Sequence, residues 1–120
     1  MDQESTNSRF VFFGPGTPGY SPPEQIKNEK DKISIRSDFF SLGTVFYEML
    51  TGFNPFIDTG RRDLSSTVKN IFDLEPQPLS DLGYDKSFDD LVMSCIEKSP
   101  YSRPESVAEL KKLFENIKWS

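Results

Sequence analysis

Histidine is missing from this chain altogether, and Cys95 is its only cysteine. The first absence rules out a Ser-His-Asp or Cys-His catalytic constellation within these residues, and the two together leave no basis for a zinc site. A single cysteine forms no internal disulfide, which favours a reducing, cytoplasmic setting. No run of Lys or Arg offers a stripe for phosphates, and a net charge of -5 with a pI near 4.7 argues against a nucleic-acid partner. Nothing in that charge balance attracts the chain to an anionic membrane. No apolar stretch is long enough to span a bilayer, and residues 1–8 lack the charged and apolar regions of a signal peptide.

What is present is a set of large side chains gathered into a few segments. The 120 residues carry 11 Phe, 4 Tyr and 1 Trp, yet hydrophobic content is 35% and mean hydropathy is -0.53. The length suits one domain. Its centre is Ser37 to Gly52. Phe39, Leu42, Phe46 and Met49 recur there at helical spacing, and Phe40, Val45 and Leu50 widen the stripe almost to a full circumference. A helix of that kind belongs inside a protein. Ser37 or Asp38 is the expected cap, and Gly52 followed by Pro55 the expected stop.

Along the chain, residues 1–13 read as a mobile tail followed by an apolar segment, Phe10-Val11-Phe12-Phe13, that is either covered or prone to association. Gly14 to Glu24 holds four prolines and three glycines in eleven residues, which excludes a regular element and predicts a loop of fixed path. Pro23 and Glu24 open a short helix through Lys27. Leu64, Val68, Ile71 and Phe72 predict an amphipathic helix. Ser87-Phe88-Asp89-Asp90 has capping-box spacing ahead of a stripe of Phe88, Leu91, Val92, Cys95 and Ile96 that Lys98-Ser99-Pro100 stops. Ser106-Val107-Ala108-Glu109 opens a last helix with Val107, Leu110, Leu113, Phe114 and Ile117 inward, and Trp119 is expected to fold back onto it. The fold class is mainly α: four or five helices around one buried central helix, with almost no sheet.

Three segments in this order resemble the eukaryotic-type (Hanks-type) Ser/Thr protein kinases. Gly16-Thr17-Pro18-Gly19-Tyr20 with Pro22-Pro23-Glu24 is similar to the end of an activation segment, Pro22-Pro23-Glu24 standing at the A-P-E position. Asp38 to Gly43, continuing through Tyr47 to Gly52 and Asn54-Pro55-Phe56, resembles that family's central helix and the loop after it, with Phe40 in place of the usual Trp. Pro100-Tyr101-Ser102-Arg103-Pro104 resembles its late arginine motif. The resemblance covers about residues 14–117 and implies the helical lower half of a kinase C-lobe, assigned to residues 14–120. The Gly-rich loop, strand lysine, H-R-D-x-x-x-x-N loop and D-F-G aspartate are not in this sequence.

The resemblance also implies roles. Glu24 and Arg103 would form an ion pair tying the activation segment to the helical lobe; the alternative is two ordinary surface charges. Asp38 would brace the catalytic loop, or, in a chain without that loop, cap its own helix. Gly16, Thr17, Pro18 and Tyr20 match the loop that positions a peptide substrate, or form a rigid turn with no substrate role. Ser5, Thr6 and Ser8 fall where activation-loop phosphorylation sites occur. No catalytic, cofactor-binding or metal-binding residue is assigned, and ATP and Mg2+ are expected only if an N-terminal kinase half completes the site. Two functions follow. One is an interaction or regulatory module, inactive alone, that meets a protein partner or a second copy through apolar surface, for which Phe10 to Phe13 are candidates. The other is one half of a Ser/Thr kinase that phosphorylates a protein substrate once complemented. A truncated gene model is a third possibility.

Overall fold

Ser34 sets the geometry from which the rest follows. In the computed structural model, which describes residues 18–119, its backbone is extended and its hydroxyl accepts from Arg36 N, while Ser37 Oγ accepts from Ser34 N. This reciprocal cap stands three residues before the earliest cap expected from the sequence, Ser37. Serine stands where the familiar capping box has Glu or Gln, so the signature is absent while the hydrogen bonds are made.

The elements are α1 (Pro23–Ile26), α2 (Ile35–Thr51), α3 (Leu64–Asp73), α4 (Lys86–Phe88), which runs directly into a π-helical stretch (Asp89–Met93), and α5 (Val107–Glu115). Three 3-10 turns, Pro18–Tyr20, Leu79–Leu82 and Pro100–Ser102, connect them. No described residue lies in a β-strand; the nearest approach is an isolated bridge between Asp58 and Arg61. Gly52, at φ 90°, ends α2 in the left-handed conformation that glycine adopts without a Cβ penalty.

The core forms on one side of α2. Phe39, Phe40, Gly43, Thr44 and Tyr47 are buried, and they meet Phe56, Ile71, Leu79 and the stripe Phe88, Leu91, Val92, Cys95 and Ile96. Gly43 is the point of closest approach. A Cβ built there would lie 2.6 Å from Cys95 Cβ and 2.9 Å from Ile96 Cγ2, so α2 and the segment after α4 touch almost backbone to backbone. Phe40 and Phe56 stack with ring centroids 5.5 Å apart.

The apolar stripe of α2 therefore divides. Leu42, Val45 and Met49 point away from the core, Met49 being 74% exposed. In α3 the inward residues are Thr67 and Ile71, with Leu64 exposed and Asp63 as cap. The stripe of α4 is buried throughout, but its cap is Asp85, whose carboxylate accepts from Ser87 N; Ser87 Oγ accepts from Lys118 N instead. In α5 Leu110 and Leu113 are partly buried, Val107 and Phe114 exposed, and Ile117 just beyond is buried. Trp119 folds back edge-on to Phe88 and Phe114 at 5.4 and 6.0 Å while staying largely exposed.

Candidate functional site

Glu24 projects from the first turn of α1, a helix opened by Pro23 where the missing N–H costs nothing. Arg103 follows the Pro100–Ser102 turn, in extended backbone ahead of Pro104. Both side chains are enclosed, and they meet as a fork on a fork: Nη1 donates to Oε2 at 2.6 Å and Nη2 to Oε1 at 2.9 Å. The remaining guanidinium hydrogens go to main-chain carbonyls, Nε to Glu97 O at 2.8 Å, Nη1 to Arg36 O at 3.1 Å and Nη2 to Lys98 O at 3.1 Å. All five N–H donors of an arginine are thus engaged. Ser37 Oγ donates to Glu24 Oε2 at 2.7 Å, and the Phe40 ring lies 5.1 Å from the guanidinium carbon.

Two ions taken out of water each cost several kcal/mol, and only complete pairing offsets that loss. Burial alone would push the Glu24 carboxyl up; the hydrogen bonds from Arg103 and Ser37, with the guanidinium charge, outweigh it and hold the group below its ordinary value. The pair ties α1 to the start of α2 and to the turn before α5.

Upstream of α1, the Pro18–Tyr20 turn rests on α2 and α3. Tyr20 OH donates to Glu48 Oε1, Ser41 Oγ donates to Tyr20 O at 2.7 Å, and Asn54 Nδ2 donates to Gly19 O at 3.2 Å. The bond to Glu48, followed by burial, raises the Tyr20 phenol above its ordinary value. Ser41 and Glu48 are seven apart on α2, so one flank of the helix holds the turn at two points.

Next to that flank runs the outward strip. Asp38, Leu42, Val45 and Met49 follow at i, i+4, i+7 and i+11, on the side of α2 opposite the core. Asp38 does not cap the helix; Ser34 does, and Asp38 stands exposed in the first turn with no side-chain hydrogen bond to a described residue. Gly16, Thr17, Ser5, Thr6, Ser8 and the Phe10 to Phe13 segment lie outside the described residues.

Ser37, expected only as a cap, also serves Glu24, while Ser41, Glu48 and Asn54, which stand inside the matched segments with no role of their own expected, serve the turn. For Ser37, Ser41 and Glu48 the only local signal is polarity on a helix that is otherwise apolar around its circumference, and Asn54 lies in the loop after that helix. Cys95 has no role as a nucleophile, since burial pushes its thiol up to about 12. Among the described residues no group of three His, Cys, Asp or Glu is placed to hold a metal ion, and no helix is long and apolar enough to cross a membrane.

Comparison with known proteins gives the geometry a context. The protein kinase domain family matches residues 3–114. Serine/threonine-protein kinase A of Synechocystis is 35% identical over 106 residues, 88% of this chain and 19% of that protein. Serine/threonine-protein kinase PknB of Mycobacterium tuberculosis is 36% identical over 98 residues, 80% of this chain and 15% of that protein. A probable serine/threonine-protein kinase of Clostridium perfringens is 35% identical over 104 residues, 86% and 15% respectively. The chain spans less than a fifth of the length of these relatives. With the family matched over nearly all of its residues and its helices arranged around α2, this chain belongs to the protein kinase domain family and corresponds to part of a serine/threonine kinase domain.

Proposed function

We propose that this chain is the helical, substrate-side part of a serine/threonine kinase domain, that it transfers no phosphoryl group by itself, and that it works by binding another protein surface. The observation that carries this reading is the exposed strip of α2. Leu42, Val45 and Met49 form an apolar row on a helix whose other side is a well-filled core. Phosphoryl transfer depends on groups that cradle the phosphates, hold metal ions and orient the acceptor. The sequence contains no Gly-rich loop, H-R-D or D-F-G motif, and among the described residues no group of three His, Cys, Asp or Glu is placed to hold a metal ion. No step of the reaction is therefore assigned to them.

A second reading is favoured by Asp38, a charge standing at the end of the apolar strip with no partner among the described residues. A catalytic segment seated on the strip would offer it backbone N–H groups. The assembled enzyme would then phosphorylate a protein substrate with ATP and Mg2+, with Gly16, Thr17, Pro18 and Tyr20 beside the peptide. The two readings separate in one experiment. The chain alone, with Mg-ATP, is expected to show no thermal shift and no phosphorylation of a Ser/Thr peptide; a shift of several degrees would overturn its inactivity. Adding the portion of PknB that precedes the matched region is expected to restore activity only under the second reading.

A further inference from the structure

We propose that the pocket between the cap of α4 and the segment after α5 binds a small zwitterion carrying a quaternary ammonium and an anionic group, the chemistry of a betaine. The pocket holds about 300 Å3, at the small end for a ligand site, and Tyr84, Asp85, Phe88, Lys118 and Trp119 line it. Three rings supply its apolar walls. Phe88 is buried, and Tyr84 and Trp119 each meet it, with centroids 5.3 and 5.4 Å away and ring planes turned by 60° and 90°. Tyr84 and Trp119 make no ring contact with one another, so a gap lined by all three rings stays open. Each outer wall is fastened from behind: Tyr84 OH donates to Leu50 O at 2.5 Å, and Lys118 N, next to Trp119, donates to Ser87 Oγ at 2.9 Å.

Aromatic faces attract a cation that comes within about 6 Å of the ring centroid. No described cation takes that place here. Lys27, Lys98 and Arg103 stand over Phe72, Phe56 and Phe40, and Lys118 lies over none of the three rings. Asp85 adds a negative charge to the same pocket; its carboxylate accepts from Ser87 N at 2.9 Å and forms no ion pair with a described cation. A primary ammonium would bring three N–H donors that need acceptors, whereas a quaternary ammonium brings methyl groups, which walls of carbon suit. Lys118 would repel a lone cation, so the ligand that fits both charges sets its cationic end among the rings beside Asp85 and its anionic end against Lys118. The pocket shares no residue with the outward strip of α2, and its test is independent of the docking proposed there.

The test follows the fluorescence of Trp119, the chain's only tryptophan, while glycine betaine is titrated into the full chain near neutral pH. A saturable change is expected. The isosteric 3,3-dimethylbutanoate, with carbon in place of the quaternary nitrogen, is expected to bind about tenfold more weakly, because it loses the attraction of the rings. Lys118→Gln is expected to weaken glycine betaine about threefold and to leave choline, which lacks the anionic end, no weaker. No saturable change up to about 50 mM glycine betaine would overturn the site. Equal affinity for the isostere would overturn recognition of the ammonium. An unchanged glycine betaine affinity in Lys118→Gln, or an equal loss for choline, would overturn the assignment of the anionic end.

Discussion

Around the start of α2, Glu24 and Arg103 are enclosed and every guanidinium N–H has an acceptor within the chain. On the far side of the same helix, Leu42, Val45 and Met49 stand exposed and Asp38 has no partner among the described residues. The first region is chemically finished by residues present here. The second has the composition of an interior without the cover of one. The difference teaches that one helix combines a self-sufficient fastening with a surface suited to something outside these residues.

The largest expected effect comes from breaking the finished region. Arg103→Ala leaves the Glu24 carboxylate buried without its partner and is expected to cost about 3–5 kcal/mol, read as a lowered denaturant midpoint. The double variant Glu24→Met with Arg103→Met removes both charges and is expected to regain much of that loss.

Acid titration sharpens the same point. Because the folded carboxyl of Glu24 lies below its ordinary value of 4.5, its contribution is fully present above that pH and is lost as pH falls through the folded value. Stability measured from pH 6 downward should therefore stay level and then decline below about 4.5, and decline less in the double Met variant. What slope remains is expected from Asp63 and Asp85, whose carboxyls are lowered by hydrogen bonds from Ser66 and Ser87.

A smaller effect is expected at the contact that positions α2. Gly43→Ala puts a methyl group 2.6 Å from Cys95 Cβ, and the backbone shift needed to admit it should cost about 1–3 kcal/mol by urea denaturation. The smallest belongs to the open strip. Met49→Lys is expected to change stability by less than about 0.5 kcal/mol, because no buried contact is lost. The same change should weaken association with a complementing kinase segment in a pull-down. Equal loss of stability at Met49 and Gly43 would erase the contrast between the two sides.

The helical class was legible because apolar residues recur at helical spacing and Pro and Gly punctuate them. The phase of α2 was not. A helix apolar around nearly its whole circumference has no periodic minimum, so the sequence does not tell Leu42 and Met49, which face out, from Phe39 and Tyr47, which face in. The start of α2 was hidden for a different reason: serine at both ends of its capping box lacks the acidic signature. Ser87 misled in the opposite way, since Asp85 two residues earlier competes for the same role and wins. Glu24 and Arg103 are 79 residues apart, and no local pattern links them; only the order of the two motifs places them in one region. Tyr20 and Glu48 also stand in two of the matched segments, but no role was expected of Glu48, and their hydrogen bond emerged only from the folded chain.

The hold that Ser41 and Glu48 keep on the Pro18–Tyr20 turn reaches further than the turn itself. Both residues occupy the flank of α2 bordering Leu42, Val45 and Met49, so the turn forms a raised kerb along one margin of the uncovered lane. Anything that settles into that lane must come to rest against the kerb. Under the proposed docking, seating a second body and aligning the turn with it would be one mechanical event, and a loosened kerb would spoil alignment even with the body in place.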